Sequence, residues 1–275
     1  MKGCPLECLW CDNPESQRKI PEIVEFEERC IGCGECKRIC PSGAITQTRW
    51  KIRRDVCTGC GKCAEICPAK ARELSGKVLT VKEVMKEIEK DVIIYRVSGG
   101  GVTVSGGEPG MQISFVCELL EGCQQRGINT AVETSGYMSW NNLLKIVQFA
   151  DLVLYDLKCM DSIKHKLFTG VSNGLILENA RKIAKENKAI IIRVPIISTY
   201  NDDLENIREL AEFVKDLGTN IREIHLLPYH GLGVSKFKRL GREYQLKNIK
   251  SPAKDHIEKL RGLLDSYGLR VQVGG

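Results

Sequence analysis

No stretch of the 275-residue chain approaches the ~18 consecutive apolar residues that a membrane-spanning helix needs, so no such helix is expected. The opening Met1-Lys2-Gly3-Cys4-Pro5 has no apolar core of the kind a secretory signal carries, and the chain is expected in the cytoplasm. There is no Gly-x4-Gly-Lys-Ser/Thr run, and no Gly-x-Gly-x-x-Gly between a strand and a helix, which excludes a phosphate loop and a dinucleotide fingerprint. Disorder is excluded too: 43% hydrophobic and 28% charged residues are an ordinary globular balance, enough for one α/β domain plus a small module. What the chain has in excess is cysteine. Of 14, eleven lie between Cys4 and Cys67. Dense cysteine without an export signal points to metal rather than disulfides.

The cysteines fall into three spaced runs. The first is Cys4-x3-Cys8-x2-Cys11. The second is Cys30-x2-Cys33-x2-Cys36-x3-Cys40-Pro41, and the third repeats it as Cys57-x2-Cys60-x2-Cys63-x3-Cys67-Pro68. Zinc also takes Cys-x2-Cys pairs, but a zinc ribbon uses two pairs per metal, not three evenly spaced cysteines and a Cys-Pro. The repeat is the run of bacterial two-cluster ferredoxins, in which three close cysteines hold one cube and the fourth reaches the other. On that pattern Cys30, Cys33, Cys36 and Cys67 form one ligand set, and Cys57, Cys60, Cys63 and Cys40 the second. A segment of ~50 residues this poor in apolar side chains depends on its clusters to fold. The first triplet has only three ligands, which leaves one iron of a cube open to chelate an amino and a carboxylate group, as a catalytic zinc keeps an open position. Cys117, Cys123 and Cys159 are the alternatives for a distant fourth ligand, the first two reading as helix packing residues. Thiolates bound to three such clusters lower the formal charge of +6 to about +1, so no nucleic-acid partner is called for.

Beyond residue 75 the pattern alternates. Thr80 and Glu83 form a capping box before a helix with Val81, Val84, Met85 and Ile88 on one face. Strands are expected at 101–105, 129–133, 152–156, 189–195 and 223–228, and helices near 112–126, 140–149, 174–187, 203–217 and 253–266. Such βα units build a parallel sheet, as a barrel or a doubly wound sheet, with ligands at the C-terminal strand ends. Those ends carry Ser105-Gly106-Gly107-Glu108, Glu133-Thr134, Asp156-Leu157-Lys158, Arg193 and Tyr229-His230. A mouth so lined suits a small zwitterion, and Gly106-Gly107 allows close backbone approach.

Together these residues resemble the radical S-adenosylmethionine enzymes, and among them the glycyl-radical enzyme activating enzymes with two ferredoxin clusters. The resemblance rests on Gly3-Cys4-Pro5-Leu6-x-Cys8-x-Trp10-Cys11, Ser105-Gly106-Gly107-Glu108-Pro109, Asp156-Leu157-Lys158-x-Met160-Asp161, Thr169-Gly170-Val171-Ser172-Asn173 and Pro228-Tyr229-His230-x-Leu232-Gly233, in this order along nearly the whole chain. It implies an α/β fold: a partial (β/α)6 barrel with an inserted bacterial-ferredoxin-like module. The segments are a catalytic-cluster loop at 1–24, the module at 25–75 and the rest of the barrel at 76–275. It implies three [4Fe–4S] clusters, one of them on Cys4, Cys8 and Cys11. S-adenosylmethionine would be bordered by Trp10, Asp12, Gly106, Gly107, Glu108, Asp156, Leu157, Lys158 and His230, with Arg193 facing its carboxylate or the substrate. Lys158 and His230 are carried as catalytic candidates with the triplet. Glu133, Thr134 and Asp156 match a monovalent-cation site of some members, Glu133 standing for a shorter aspartate. The implied reaction is reductive cleavage of S-adenosylmethionine to methionine and a 5′-deoxyadenosyl radical that takes hydrogen from a backbone glycine of a partner enzyme. A flavodoxin or ferredoxin is the implied reductant, the cell is anaerobic, and a monomer is expected.

One departure stands out. Family members carry a strand and an Asp-Gly-Pro-Gly-x-Arg run before the triplet, which here starts at residue 4. The first barrel strand is therefore expected to be missing and activation by this chain to be weak, improving when an upstream strand is restored. Two other classes compete: an iron–sulfur electron carrier on an inert barrel, and a radical maturase of another protein or peptide.

Overall fold

The computed structural model describes residues 1–46, 51–186, 188–246 and 248–274. Residues 47–50 of the expected module, and the expected helix end at 187, lie outside that description. Two short strands, β1 (Glu22–Glu25) and β2 (Arg72–Ser75), pair antiparallel with Glu22 opposite Ser75. They close the cysteine-rich module at its base, so the expected boundary at residue 25 falls at the end of β1 rather than ahead of it. Inside, the 27-residue repeat is visible in the backbone. Helices α1 (Glu35–Ile39) and α2 (Lys62–Glu65) each start from a left-handed glycine, Gly34 with φ 78° and Gly61 with φ 82°. Ile23, Ala44, Ile45, Ile52 and Cys63 are the module's small buried core.

The rest of the chain is a partial (β/α)6 barrel. Helices α3 (Val81–Ile88) and α4 (Val92–Ser98) lead into six parallel strands in sequential order: β3 (Gly101–Val104), β4 (Asn129–Thr134), β5 (Leu152–Asp156), β6 (Ala189–Ile196), β7 (Ile221–Pro228) and β8 (Val271–Val273). The crossovers carry α5 (Ile113–Gln124), α6 (Trp140–Val147), α7 (Ser162–Thr169), α8 (Gly174–Lys185), α9 (Leu204–Leu217), α10 (Leu232–Arg239) and α11 (Lys254–Ser266). Alternation along the strands divides two environments. Val153, Tyr155, Ile190, Ile192, Val194, Ile224 and Leu226 are buried against Leu143, Ile176, Leu210 and Leu260 of the outer helices. The opposite face carries Glu133, Asp156 and Arg193 into a cavity.

Five strands and five crossover helices lie where the hydrophobic pattern puts them, within a few residues. β8, α4, α7 and α10 were not expected. β8 is three residues long, too short for a period to show. On α7 and α10 the large aliphatics Ile163, Leu167, Leu232 and Val234 are exposed, so the apolar stripe that reveals a buried helix is missing. Among the described residues no helix is long and apolar enough to cross a membrane.

The capping box at α3 is complete: Thr80 Oγ1 accepts the Glu83 N–H at 3.3 Å, and the Glu83 carboxylate accepts the Thr80 N–H at 2.7 Å. Thr80→Ala is expected to lower unfolding free energy by about 1 kcal/mol in urea denaturation, as loss of an N-cap does elsewhere.

Candidate functional site

The N-terminal segment is threaded through the top of the barrel by backbone hydrogen bonds. Gly107 N–H donates to Met1 O at 2.9 Å and Glu108 N–H to Gly3 O at 2.7 Å, which ties the segment to the turn after β3. Gly3 and Cys4 N–H groups donate to Ser16 O and Gln17 O at 2.7 and 2.9 Å. Glu7 and Leu9 N–H groups donate to Thr169 O and Phe168 O at the end of α7. The fold thus clamps the triplet loop on three sides. Gly107 is required by close approach, because a Cβ there would overlap the Gly3 carbonyl and lie 2.7 Å from Ser16 O.

A cavity of about 490 Å³ opens beside the loop, within the usual range of small-molecule sites. Cys4, Cys8 and Cys11 line it together with Trp10, Asp12, Gly106, Gly107, Glu108, Glu133, Thr134, Asp156, Lys158, Arg193 and His230. Leu157 is the exception among the expected cofactor contacts. Its side chain is 2% exposed in the barrel core and its N–H donates to Arg193 O, so it steadies the strand end instead of facing the cavity. Tyr229 lines it beside His230, as the strand-end rule put it, and Ser16, Gln17, Pro195 and Ile197 add walls that the rule did not point to.

Charge in the cavity is arranged as a chain. Ser105 Oγ donates to Glu133 at 2.7 Å, Glu133 pairs with Arg193 at 2.5 Å, and Arg193 Nε lies 4.0 Å from Asp156 Oδ1. Asp156 Oδ2 accepts Lys158 Nζ at 2.8 Å. Burial works against the Lys158 ammonium, but the Asp156 carboxylate holds it well above the usual lysine range. At the rim His230 stands 3.5 Å from Asp12, whose carboxyl is pushed up by burial against the pull of that imidazole. Burial also pushes the thiols up, Cys4 to about 11 and Cys8 to about 12. They are neutral until a metal displaces their protons.

Glu108 is 2% exposed and its carboxylate accepts Thr134 Oγ1, Ser135 N–H and Ser135 Oγ at 2.6, 2.9 and 2.6 Å. It fastens the turn after β4 to the turn after β3. Glu108→Ala leaves those donors without an acceptor and is expected to cost at least about 2 kcal/mol of stability by urea denaturation. The three residues expected at a cation site are each engaged: Glu133 with Ser105 and Arg193, Thr134 with Glu108, Asp156 with Lys158.

Buried asparagines hold the strand ends in place, and the sequence reading missed most of them. Asn201 donates to Lys158 O and Pro195 O at 2.6 Å each and accepts Ile197 N–H at 2.8 Å. Asn206 accepts Met160 N–H at 2.8 Å. Asn173 donates to Cys159 O at 3.1 Å. Only Asn173 stood in a motif; an asparagine in a loop reads as a turn residue until its partners are seen.

Two smaller hollows lie in the module. One is lined by Cys30, Cys33, Cys36 and Cys67, the other by Cys40, Cys57, Cys60 and Cys63, the interleaved sets that the repeat implies. Cys123 packs 3.9 Å from Met85 Sδ, Cys117 lies on the same helix, and Cys159 sits in an aromatic cluster with Trp10 and Phe168. None of these three lines the cavity.

The donor sets suit iron–sulfur clusters, and the cavity suits a ligand with both charges. Asp12 Oδ1 and Asp156 Oδ1 are buried there with no hydrogen-bond partner among the described residues, which invites cationic groups. Arg193 and Lys158 offer the complement for a carboxylate.

Comparison with known proteins agrees. The profile of the Radical SAM superfamily matches residues 56–214, and that of the 4Fe-4S dicluster domain matches 29–71. The trans-4-hydroxy-L-proline dehydratase activating enzyme of Clostridioides difficile is 43% identical over 279 residues, spanning 100% of this chain and 92% of that protein. The (2S)-3-sulfopropanediol dehydratase activating enzyme of Klebsiella oxytoca is 41% identical, over 100% of this chain and 90% of its own length. Among solved structures, a domain of a pyruvate-formate lyase-activating enzyme from Bacteroides vulgatus superposes with TM-score 0.56 at 34% identity, covering 64% of this chain and 99% of that one.

Proposed function

Because this chain belongs to the radical SAM superfamily and is a glycyl-radical enzyme activating enzyme, we propose the following assignment of its residues. Cys4, Cys8 and Cys11 hold the catalytic [4Fe–4S] cluster, and the module's two sets hold one further cluster each, three in all. S-adenosylmethionine occupies the cavity beside the triplet. Bound together, the reduced catalytic cluster and S-adenosylmethionine supply homolytic cleavage of a sulfonium carbon–sulfur bond, and with it the removal of a hydrogen atom from a partner's backbone glycine.

The protein's own part is binding, orientation and exclusion of water. Arg193 and Lys158 pair with the ligand carboxylate. The unpartnered Asp12 Oδ1 faces its cationic groups. Gly106 and Gly107 bring main chain close to the amino end, and Glu108 keeps their turn and the Thr134-Ser135 turn in register. Leu6, Trp10 and Tyr229 wall the cavity with apolar surface, and we assign His230, half exposed at the rim, to the edge that meets the partner's glycine loop. The monovalent cation fits less well, since Arg193 already bridges the carboxylates that would hold it. The partner is a glycyl-radical enzyme, with dehydratases of the kind named for the two relatives as the first to test. We assign the electron source to a small flavodoxin- or ferredoxin-type protein and the chain to a monomer that docks transiently.

The observation that carries this reading is the meeting of the triplet with Gly106-Gly107, Asp156, Lys158 and Arg193 around one cavity. Anaerobically reconstituted protein, reduced with dithionite and given S-adenosylmethionine, is expected to bind about 12 irons and to release 5′-deoxyadenosine. With a dehydratase partner present it is expected to generate a glycyl radical visible by electron paramagnetic resonance. Full iron loading without 5′-deoxyadenosine would overturn the site assignment.

A further inference from the structure

No apolar cluster among the described residues spans the module and the barrel: the module's buried core draws only on residues of the module and β1, and the barrel clusters on none of residues 25–75. Beside α10 the two bodies leave a hollow of about 230 Å³ lined by Glu15, Val24, Glu73, Lys236 and Arg239. What crosses the seam is charge. Arg54 bonds Glu25 at 2.8 Å and Arg239 O at 3.2 Å, and Arg239 reaches Glu28 at 3.8 Å.

At the centre is Glu22, the first residue of β1, 6% exposed. Its carboxylate accepts Arg242 Nη2 at 2.6 Å and lies 3.5 Å from Arg18 and 3.9 Å from Lys2. Arg242 continues to Pro14 O at 2.6 Å and Gln17 Oε1 at 3.3 Å, and Gln17 O accepts the Cys4 N–H. From the strand that bases the module to the first triplet cysteine there are thus three polar links. The module side facing this path is the second hollow. Gly59, between Cys57 and Cys60, is pressed against Pro21 so closely that a Cβ would overlap the Pro21 carbonyl. Two cysteines of the other hollow, Cys30 and Cys33, are exposed, against Cys60 alone in this one, whose Cys63 is buried.

We infer that Glu22 is a positioning residue that pins the module to the barrel through Arg242, with the Cys40, Cys57, Cys60 and Cys63 hollow turned to the catalytic loop and the Cys30, Cys33, Cys36 and Cys67 hollow turned outward. The inference rests on the proposed cluster assignment. A low-potential one-electron donor, oxidised as it gives its electron, reaches the outward hollow; the pin fixes the separation of the inner hollow from the triplet. A polar pin suits this task because it sets a distance and an orientation, whereas apolar contact tolerates sliding.

Glu22→Gln and Arg242→Lys test it as reconstituted holoprotein. Glu22→Gln is expected to keep about 12 irons. Amides of residues 14–22 are expected to exchange with deuterium roughly 30-fold faster, the scale for losing one partner of a buried ion pair. The magnetic coupling between reduced centres, read by electron paramagnetic resonance, is expected to weaken. Arg242→Lys, which keeps a cation against Glu22, is expected to fall between Glu22→Gln and the unaltered protein in both signals. Unchanged exchange and coupling in Glu22→Gln would overturn the inference. So would iron loss in Glu22→Gln, since Glu22 would then serve folding alone. If the unaltered protein releases no 5′-deoxyadenosine while exchange and coupling still respond, the pin stands and the function assignment falls.

Discussion

Cys8→Ala is expected to abolish 5′-deoxyadenosine release and to lower bound iron from about 12 to about 8 per chain. The triplet has no reserve. Of the other cysteines, Cys159 is the one packed in the same cluster as Cys8 and Cys11, yet it is 4% exposed among aromatics and does not line the cavity. Two thiols cannot keep a cube, and the buried setting that pushes Cys8 up to about 12 also makes the vacated position poor for a water ligand. Cys33→Ala is the contrast. It strips one outward ligand from the module, which is expected to lose about four irons while dithionite still drives part of the cleavage directly. Iron analysis and chromatography of the product separate the two variants. Equal loss of product in both would mean that the module, not the triplet, limits the chemistry.

The module was legible because covalent spacing carries its whole design. Three cysteines at fixed intervals and a Cys-Pro, stated twice, need no long-range packing to be recognised, and the two hollows contain the interleaved sets that the spacing implies. The barrel was legible for a different reason. Four strands, β4 to β7, are buried enough for Val, Ile and Leu to repeat in register with turns, while β3, with Val104 alone buried, shows through its Val-Thr-Val run between glycines; Asp203 caps α9 through Asn206 N–H at 2.9 Å. Elements that bury little left no trace: β8 at the edge, and α7 and α10 with exposed aliphatics.

The site was readable to the extent that it sits at strand ends. Glu133, Asp156, Lys158, Arg193 and His230 reach one cavity because parallel strands present their C-terminal ends on one side. Leu157 shows the limit, since neighbouring strand residues point to opposite faces and a motif names both. Asn201 and Glu22 show another. Their role lies in partners 43 and 220 residues away, Lys158 and Arg242, and a single sequence holds no local sign of pairing at that range. The seam between module and barrel was therefore invisible, although the two bodies were both foreseen.

Gly107→Ala is expected to lower 5′-deoxyadenosine release by at least about 100-fold while leaving the barrel folded. The reason is geometric. The added methyl would overlap the Gly3 carbonyl and stand 2.7 Å from Ser16 O, and both are backbone, so neither can rotate away as a side chain would. Gly3 O accepts Glu108 N–H and Ser16 O accepts Gly3 N–H, so relief of the overlap must break the clamp that sets Cys4 beside the cavity. A shift of ~1 Å at such a site is enough for a loss of that size. Gly262→Ala is the matched control: it lies in α11 with open space around the added methyl, and is expected to leave release unchanged and to stabilise by about 1 kcal/mol. Iron content then separates two mechanisms. About 12 irons with no product would mean a cluster assembled but misplaced against the cavity, and about 8 would mean the loop no longer closes on a cluster at all. Wild-type release from Gly107→Ala would show that the Gly3 and Ser16 carbonyls do not fix the triplet, and the three-sided clamp would lose its claim to set the geometry of the site.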